Sequence, residues 1–266
     1  MAESPMVERF KHYFKKTSLN KKIDRVVSKN DKLLLGGSVD EVNNILKGKT
    51  FKDVHRRGKF LIADTSSDYK VVFHFGLTGS LFYKKAEDKK GKAYTRIIFV
   101  FDNGDELGWA NKEGFGRVYV VEDPLEVKTL CTMGPEAIEI SPKEFDALLK
   151  EKERCNVKTF LMDQKVVAGI GNLYANEILF QASIHPTNKI SELTVGEKTT
   201  LYKAMRGVLK KAMGFKVVEG EDLYHKGRLL GRRSMVCTKN PQHTLKKIRI
   251  GGRITIFCPE HQKIVN

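Results

Sequence analysis

Four potential metal ligands stand near the C-terminal end of the chain, in two pairs. They follow the pattern Cys237-x5-His243-x14-Cys258-x2-His261. Thiolate sulfur and imidazole nitrogen are the ligands of structural Zn²⁺ sites, which are tetrahedral and take all four ligands from the protein. The spacing therefore predicts one structural Zn²⁺ ion in a compact terminal segment. The residues also leave open a ribbon of the same shape without metal.

A second motif puts glycines and an asparagine at the start of a predicted helix. Residues 167–177 read VAGIGNLYANE, and Asn172 stands where the helix would begin. A glycine turn at this point presents backbone N–H groups and a helix N-terminus to an anion, which is one way to hold a phosphate of a nucleic acid. The simpler alternative is that the turn only connects two helices.

The charge balance indicates the class of partner. The chain has 48 Lys and Arg against 32 Asp and Glu, for a net charge of +16 and a pI near 9.6. A positive surface field attracts polyanions, so we expect nucleic acid as the partner.

The same sequence predicts an intracellular protein that makes no membrane contact. No stretch approaches the roughly 18 apolar residues that span a bilayer, and the start lacks the apolar core of a secretory signal. We expect the cytoplasm or nucleoid, or the nucleus in a eukaryote. In a reducing compartment thiols stay free or bind metal, and we expect the isolated Cys131 and Cys155 to be buried apolar groups.

The elements that must position these motifs differ between the two halves of the chain. In the first half, residues 71–75, 96–101 and 115–121 are short apolar runs, and the second leads into the hairpin turn signal Asn103-Gly104. Residues 7–14 suit a helix that covers one face. Up to about residue 125 the sequence predicts a β-sandwich with a covering N-terminal helix.

Helix signals dominate the second half. Ser141 and Thr194 each begin a capping box, in which a hydroxyl and a glutamate three residues later satisfy the first amides of a helix. The second helix has an apolar stripe at helical spacing, formed by Leu201, Met205, Val208, Leu209 and Ala212. Near the end of the chain, alternating isoleucines between residues 248 and 256 predict a two-stranded ribbon.

Several segments resemble the formamidopyrimidine-DNA glycosylase and endonuclease VIII family, whose members excise oxidised bases, and they are nearer to its endonuclease VIII-like branch. Residues 167–177, followed by His185-Pro186, are similar to the helix-two-turns-helix motif of that family. The other matches keep the order of the family and cover nearly the whole chain: residues 2–8 (AESPMVE), 56–61 (RRGKFL), 74–80 (HFGLTGS), Gly134-Pro135-Glu136 and Gly231-Arg232.

This resemblance implies an α+β architecture. It consists of a catalytic β-sandwich domain (residues 1–125), a linker (126–140), a helix-two-turns-helix DNA-binding domain (141–225) and a C-terminal zinc-finger β-hairpin (226–266).

The resemblance also implies catalytic roles. The α-amine of Ala2 would attack the sugar, Glu3 would act as the acid/base group, Lys59 would contact the DNA backbone and assist β-elimination, and Arg253 would grip a phosphate and serve δ-elimination. Removal of Met1 is expected because a small residue follows it. A free α-amine has a pKa near 8 and lysine one near 10.4, so the terminus offers far more neutral amine at neutral pH.

Besides Arg253, four further residues are implied as DNA contacts. Leu77 and Phe115 would fill the gap left by a flipped nucleotide, since an apolar wedge lowers the cost of extruding a stacked base. Lys165 and Asn172 would contact phosphates. Judged without the family, Leu77 could equally be a core leucine.

The sequence as a whole therefore predicts a monomeric bifunctional DNA glycosylase and abasic-site lyase. It would act on damaged duplex DNA, and single-stranded DNA is left open as a substrate. The alternative is a non-catalytic damaged-DNA-binding module of the same fold. The short stretch between Met213 and Cys237 favours oxidised pyrimidines over 8-oxoguanine, because purine-preferring relatives have a longer capping loop there.

Some positions depart from the pattern of the family. Position 2 is alanine where proline is common, and Met6 replaces a glutamate. Glu113 stands near the position at which the family has an arginine that reads the opposite base, so the resemblance implies no opposite-base preference for this chain. The usual finger has four cysteines at tighter spacing, so His243 and His261 are departures as well.

Overall fold

The structure is a computed structural model, and it describes residues 2–88, 91–214 and 235–264. The chain divides into two compact units, Met1–Thr132 and Met133–Asn266. The division falls inside the stretch 126–140 that we expected to be a linker. Gly231-Arg232 and most of the stretch between Met213 and Cys237 lie outside the described residues.

The N-terminal unit consists of a β-sandwich and accompanying helices. Its helices are α1 (Ser4–Thr17), α2 (Val39–Leu46) and α3 (Lys128–Cys131), with single 3-10 turns at Asp31–Leu33 and Pro124–Glu126. Its strands are β1 (Ile23–Ser28), β2 (Leu34–Leu35), β3 (Phe51–Arg57), β4 (Phe60–Thr65), β5 (Lys70–His74), β6 (Ser80–Lys84), β7 (Thr95–Phe101), β8 (Glu106–Ala110) and β9 (Arg117–Val121).

The nine strands form two sheets of different size. One sheet has the order β1-β7-β8-β6, and the other has the order β2-β9-β5-β4-β3. Neighbouring strands are antiparallel except for the short pair β2 and β9. The expected β-sandwich is confirmed, although β9 begins at Arg117, two residues later than predicted, and Phe115 lies in the preceding loop.

Helix α1 covers this sandwich, as predicted. Val7 and Phe14 are fully buried, and the Phe14 ring packs edge-on against that of Phe51 with centroids 4.9 Å apart. Its partly buried Phe10 packs on Phe75 at 4.4 Å. The helix is also held by Glu8, whose carboxylate accepts a hydrogen bond from Arg56 Nε on β3 at 2.8 Å. These contacts fix the residues that precede the helix, including Ala2 and Glu3.

The C-terminal unit is helical and ends in a hairpin. Its helices are α4 (Pro142–Glu151), α5 (Val157–Met162), α6 (Asn172–Ala182) and α7 (Val195–Met213), with a 3-10 turn at Ile190–Glu192. The hairpin strands are β10 (Lys246–Ile250) and β11 (Arg253–Phe257), which pair antiparallel.

Both predicted capping boxes are present in this unit. The Ser141 hydroxyl accepts from the amide of Glu144, and the Thr194 hydroxyl accepts from that of Glu197. The five stripe residues of α7 are all buried in the core of the unit. Gly251 and Gly252 both have positive φ, which a two-residue turn of the hairpin type requires and glycine tolerates without strain.

One expectation about burial was wrong. Cys131 and Cys155 are exposed, because the first lies at the end of the short helix α3 and the second lies in the turn after α4. Among the described residues, no helix combines the length and the apolar character that crossing a bilayer requires.

Candidate functional site

Ala2 and Glu3 lie together at the N-terminus of α1, and both are buried. Glu3 is the N-cap residue, and its carbonyl accepts from the amides of Met6 and Val7 at 2.9 and 3.1 Å. The Glu3 side chain is only 1% exposed. A carboxylate at this end of a helix is favoured by the positive end of the helix dipole. The two residues expected to supply the amine and the acid/base group therefore lie next to each other, and both are buried.

The nitrogen of Ala2 contacts the loop that follows β5. It donates a hydrogen bond to the carbonyl oxygen of Gly76 at 3.2 Å. The same loop carries Leu77, which is half-buried in a turn, and the turn is closed by a hydrogen bond from the Gly79 amide to the Phe75 carbonyl at 2.8 Å. The expected nucleophile and the expected gap-filling residue thus belong to one connected piece of structure.

Loop 75–79 packs tightly against loop 111–116. Gly76 has φ +59°, and a Cβ atom there would lie 2.7 Å from backbone atoms of Phe115 and Gly116. A side chain at position 76 is therefore excluded by both its backbone conformation and its surroundings. The Asn111 side chain fastens the two loops, since its amide nitrogen donates to the Phe75 carbonyl at 3.0 Å.

The tips of the two loops are joined by a side-chain contact. The Thr78 hydroxyl donates to the Glu113 carboxylate, and the Glu113 amide lies 3.4 Å from the same hydroxyl. Phe115 follows Glu113 by two residues, and 63% of its surface is exposed. An exposed phenyl ring held on a braced loop is suited to enter an apolar layer such as a base stack.

Lys59 lies in the tight turn between β3 and β4, where it is half-buried. Its ammonium group is close to His74, the last residue of β5. Burial together with the charges of Lys59 and Arg117 lowers the pKa of His74 from 6.5 to about 4. The imidazole is therefore neutral at pH 7, and it packs on the Phe60 ring with centroids 4.8 Å apart. Nothing in the sequence singles out His74 as a perturbed group, because a histidine that ends a strand has no distinguishing local pattern.

The glycine turn before α6 has the predicted form. Helix α6 begins at Asn172, with Gly171 as its N-cap. The turn is organised by Gln164, whose side chain donates to the carbonyls of Met162 and Ile170 at 2.8 Å each and accepts from the Gly169 amide at 3.0 Å. Lys165 is exposed in this turn.

Asn172 also connects α6 to the terminal hairpin. Its side-chain nitrogen donates to the Ile254 carbonyl at 3.0 Å, and its oxygen accepts from Lys158 Nζ at 2.8 Å. Lys158 is fully buried on α5 and also donates to the Thr255 hydroxyl on β11. A buried ammonium group needs such hydrogen bonds to offset its desolvation. In the sequence Lys158 looked like one basic residue among many, so its role as a buried connector was missed.

Arg253 is exposed at the start of β11, directly after the Gly251-Gly252 turn. It belongs to the same unit as Lys165 and Asn172. Its register partner in the hairpin is Ile250. The turn thus holds the guanidinium group at the tip of the hairpin, where an anion can reach it.

The four predicted metal ligands converge on one point. The ligand atoms of Cys237, His243, Cys258 and His261 all lie within 4.8 Å of one another, and both cysteines are buried. Cys237 Sγ lies 3.3 Å from His261 Nδ1, and Cys258 Sγ lies 3.8 Å from His243 Nδ1. Tetrahedral Zn–S and Zn–N bonds imply ligand separations of roughly 3.3–3.8 Å. These two Cys–His distances lie in that range, so the donor set can close around a single ion of that kind.

Neighbouring groups hold these ligands in place. Gln262 accepts from the Cys258 amide and donates to the Ile184 carbonyl, both at 2.9 Å, which ties the metal cluster to the helical part of the unit. The Asn240 side chain lies 3.0 Å from His243 Nε2. Such outer contacts fix the orientation of ligand rings. The cluster can therefore hold one metal ion.

Comparison with known proteins identifies the family of this chain. The family model for the formamidopyrimidine-DNA glycosylase N-terminal domain matches residues 1–118, and that for the formamidopyrimidine-DNA glycosylase H2TH domain matches residues 133–219. The formamidopyrimidine-DNA glycosylase of Geobacter metallireducens is 33% identical over 273 residues, covering 98% of this chain and 100% of that protein. That of Desulfitobacterium hafniense is 30% identical over 273 residues, covering 97% and 98%.

Among solved structures, the chain is similar to Lactococcus lactis formamidopyrimidine-DNA glycosylase non-covalently bound to DNA containing an abasic site. The TM-score is 0.86 at 25% identity, and the match covers 98% of this chain and 99% of that one. Together the two family models match more than half of the sequence, and relatives of 30% identity or more match it almost end to end. This chain therefore belongs to the formamidopyrimidine-DNA glycosylase family.

Proposed function

We propose that this protein is a bifunctional DNA glycosylase and abasic-site lyase of base excision repair, which removes oxidised bases from damaged DNA and then cuts the strand. Family membership supports the glycosylase activity, and the net charge of +16 suits a DNA substrate. The observation that carries the proposal is the 3.2 Å hydrogen bond from the Ala2 nitrogen to Gly76, with the buried Glu3 beside it.

The chemistry begins with the α-amine that removal of Met1 would leave on Ala2. Its lone pair attacks C1′ of the sugar, and the glycosidic bond breaks as the base departs with the bonding electrons and takes up one proton of the attached amine, which Glu3 carries to it. Glu3 then carries the second proton of that amine to the ring oxygen, so that the C1′–O4′ bond opens and an imine forms. This acid/base role needs a carboxylate within reach of the reacting atoms.

Strand cleavage follows from the imine. Loss of the C2′ proton expels the 3′ phosphate in β-elimination, and a further proton loss at C4′ expels the 5′ phosphate in δ-elimination. We assign Lys59 to the phosphate that leaves first and Arg253 to the second. Lys165 and Asn172 hold other phosphates, and Lys158 orients Asn172 through their 2.8 Å hydrogen bond.

Extrusion of the damaged nucleotide depends on the paired loops. Leu77 and Phe115 fill the space that the nucleotide leaves, which offsets part of the few kcal/mol that unstacking a base requires. The Asn111 and Thr78 contacts hold both apolar side chains before DNA arrives. A preformed wedge does not have to be ordered during binding, so less free energy is lost.

We assign the metal cluster to Zn²⁺, with Cys237, His243, Cys258 and His261 as ligands. Bound zinc would stabilise the fold of the hairpin and would take no part in the reaction. Oxidised pyrimidines remain our proposed lesions, and we propose a monomer that acts on duplex DNA.

Borohydride trapping followed by peptide mapping tests this proposal. The protein is incubated with DNA containing an abasic site, the imine is reduced, and the cross-linked peptide is identified by mass spectrometry. We expect the adduct on the N-terminal peptide at Ala2. An adduct on Lys59 would refute the assignment of the nucleophile, and DNA binding without any adduct would identify a non-catalytic binding module.

A further inference from the structure

Tyr94 has a backbone conformation that is rare for its residue type. It precedes β7 with φ +58°, in the left-handed region. A bulky aromatic residue is seldom found there, because its Cβ atom crowds the backbone. The conformation is held by its neighbours, since the Asn111 amide donates to the Tyr94 carbonyl at 2.9 Å and the Thr95 hydroxyl donates to the Lys92 carbonyl. Such outliers are often found at functional positions.

Burial of the ring does not compensate for this strain. Tyr94 is 53% exposed. The ammonium group of Lys112 lies 5.7 Å from the centre of the ring, within the range of a cation–π contact. None of the ion pairs between described residues involves Lys112, so its charge can pair with an incoming anion. An exposed aromatic face and an available cation therefore lie side by side.

This pair is attached to the loop that carries the wedge. Lys112 precedes Phe115 by three residues, so their Cα atoms are at most roughly 11 Å apart. Asn111 bonds to Tyr94 through its backbone and to the Gly114 amide through its side chain, at 2.7 Å. Successive nucleotides in a stacked strand are about 3.4 Å apart, so the pair can reach a nucleotide within about three steps of the wedge.

We propose that Tyr94 and Lys112 form a second nucleotide-binding site, which takes one unstacked nucleotide of single-stranded DNA. The base packs on the Tyr94 ring, and an adjacent phosphate pairs with Lys112. Stacking on an aromatic side chain is tolerant of sequence because every base has a π face. In an intact duplex those faces are covered by neighbouring bases, so the site discriminates in favour of single-stranded or locally opened DNA. This inference rests on the proposed function only in taking DNA as the ligand.

Fluorescence anisotropy with an oligonucleotide that contains a stable abasic analogue tests the site. The same labelled strand is used alone and annealed to its complement, with the full-length protein. Tyr94→Ala should weaken single-strand binding about tenfold and duplex binding by less than about twofold, since one stacking contact is lost. Tyr94→Phe should bind as the wild type does. Leu125→Ala, at a 58% exposed apolar residue of the same unit, is the matched control and should change neither affinity.

Two further variants separate binding from folding and stacking from charge. Tyr94→Gly removes the ring and also relieves the strain at positive φ. It should unfold at the same temperature as the wild type or higher, and it should bind single strands as weakly as Tyr94→Ala. Lys112→Gln should reduce the slope of log affinity against log salt for single strands by about 0.7.

The inference is overturned if the wild type does not bind the single strand, if Tyr94→Gly binds it normally, or if both DNA forms lose affinity by the same factor. Cleavage of abasic duplex DNA is measured in parallel and should be unchanged in Tyr94→Ala. If the wild type cleaves abasic duplex DNA and the Tyr94 variants bind single strands normally, the second nucleotide-binding site is refuted and the proposed enzyme is not. If the wild type does not cleave abasic duplex DNA but Tyr94→Ala weakens single-strand binding, the proposed enzyme is refuted and the second nucleotide-binding site is supported.

Discussion

Acidification should destabilise the N-terminal unit through His74. This imidazole ends β5, packs on the Phe60 ring and lies near the cations Lys59 and Arg117. Burial is the main cause that lowers its pKa from 6.5 to about 4, and the two positive charges add to it. Protonation in the folded state would place a third positive charge, in a largely buried position, near these two.

The sign and size of the effect follow from these pKa values. Between pH 6.5 and about 4 the unfolded state binds the proton and the folded state does not, so stability falls as the pH is lowered through this window. The contribution is fully present above pH 6.5 and is lost by about pH 4. At pH 5 the loss should be about 2 kcal/mol, and at pH 4 it should approach about 3 kcal/mol.

Urea unfolding of the wild type and of His74→Phe at pH 7 and pH 5 measures this contribution. Phenylalanine retains the ring contact with Phe60 and cannot be protonated, so the variant should lose about 2 kcal/mol less than the wild type over this interval. NMR titration of the imidazole gives an independent test, in which Lys59→Met should raise the pKa of His74 because a nearby positive charge is removed.

Equal pH dependence of the two proteins would refute this reasoning. A titration midpoint near 6.5 in the folded wild type would do so as well, since the imidazole would then be solvated. A midpoint near 4 that is unchanged in Lys59→Met would leave burial as the cause and would contradict the electrostatic contact with Lys59.

Other outcomes follow from the site. Glu3→Gln should slow base excision about 10²–10⁴-fold and should slow cleavage of preformed abasic sites less, as measured by single-turnover assays on both substrates. Metal analysis should give one Zn²⁺ per chain, and Cys258→Ser should lose the metal and weaken DNA binding. The ligand assignment would be refuted if the purified full-length protein contained no stoichiometric zinc. Thr78→Val breaks the contact with Glu113 and should lower kcat/KM about two- to tenfold on duplex DNA, with no loss on single strands, where no nucleotide has to be extruded. Excision of thymine glycol or a hydantoin should be faster than that of 8-oxoguanine on matched oligonucleotides, and the reverse order would refute the pyrimidine preference.

Local features of this protein could be predicted from sequence because neighbouring residues determine them. The capping boxes at Ser141 and Thr194 depend on groups three residues apart, and the buried stripe of α7 follows from helical periodicity. The turn at Asn103-Gly104 depends on the tolerance of glycine for positive φ, which is +82° at Gly104.

Sequence reasoning failed where burial depends on distant parts of the chain. Cys131 and Cys155 have the apolar character of core residues, but their short segments lie outside the hydrophobic cores of the two units. Lys158 has the character of a surface residue, but Asn172 and Thr255 surround its ammonium group. The composition of a short segment does not reveal which distant elements will pack against it.

The functional residues show the same division. By itself the sequence identified the four candidate metal ligands, because two Cys/His pairs at those spacings supply the donor atoms that a structural Zn²⁺ site uses. Only the tertiary structure decided that Cys237 lies next to His261 and that the Ala2 nitrogen meets Gly76. Both contacts join residues that are not neighbours in the chain. The first forms because hairpin pairing stabilises the C-terminal unit, and the second forms because the burial of α1 on the sandwich stabilises the N-terminal unit. A motif can specify which groups react or bind, whereas their mutual distances depend on the packing of every element between them.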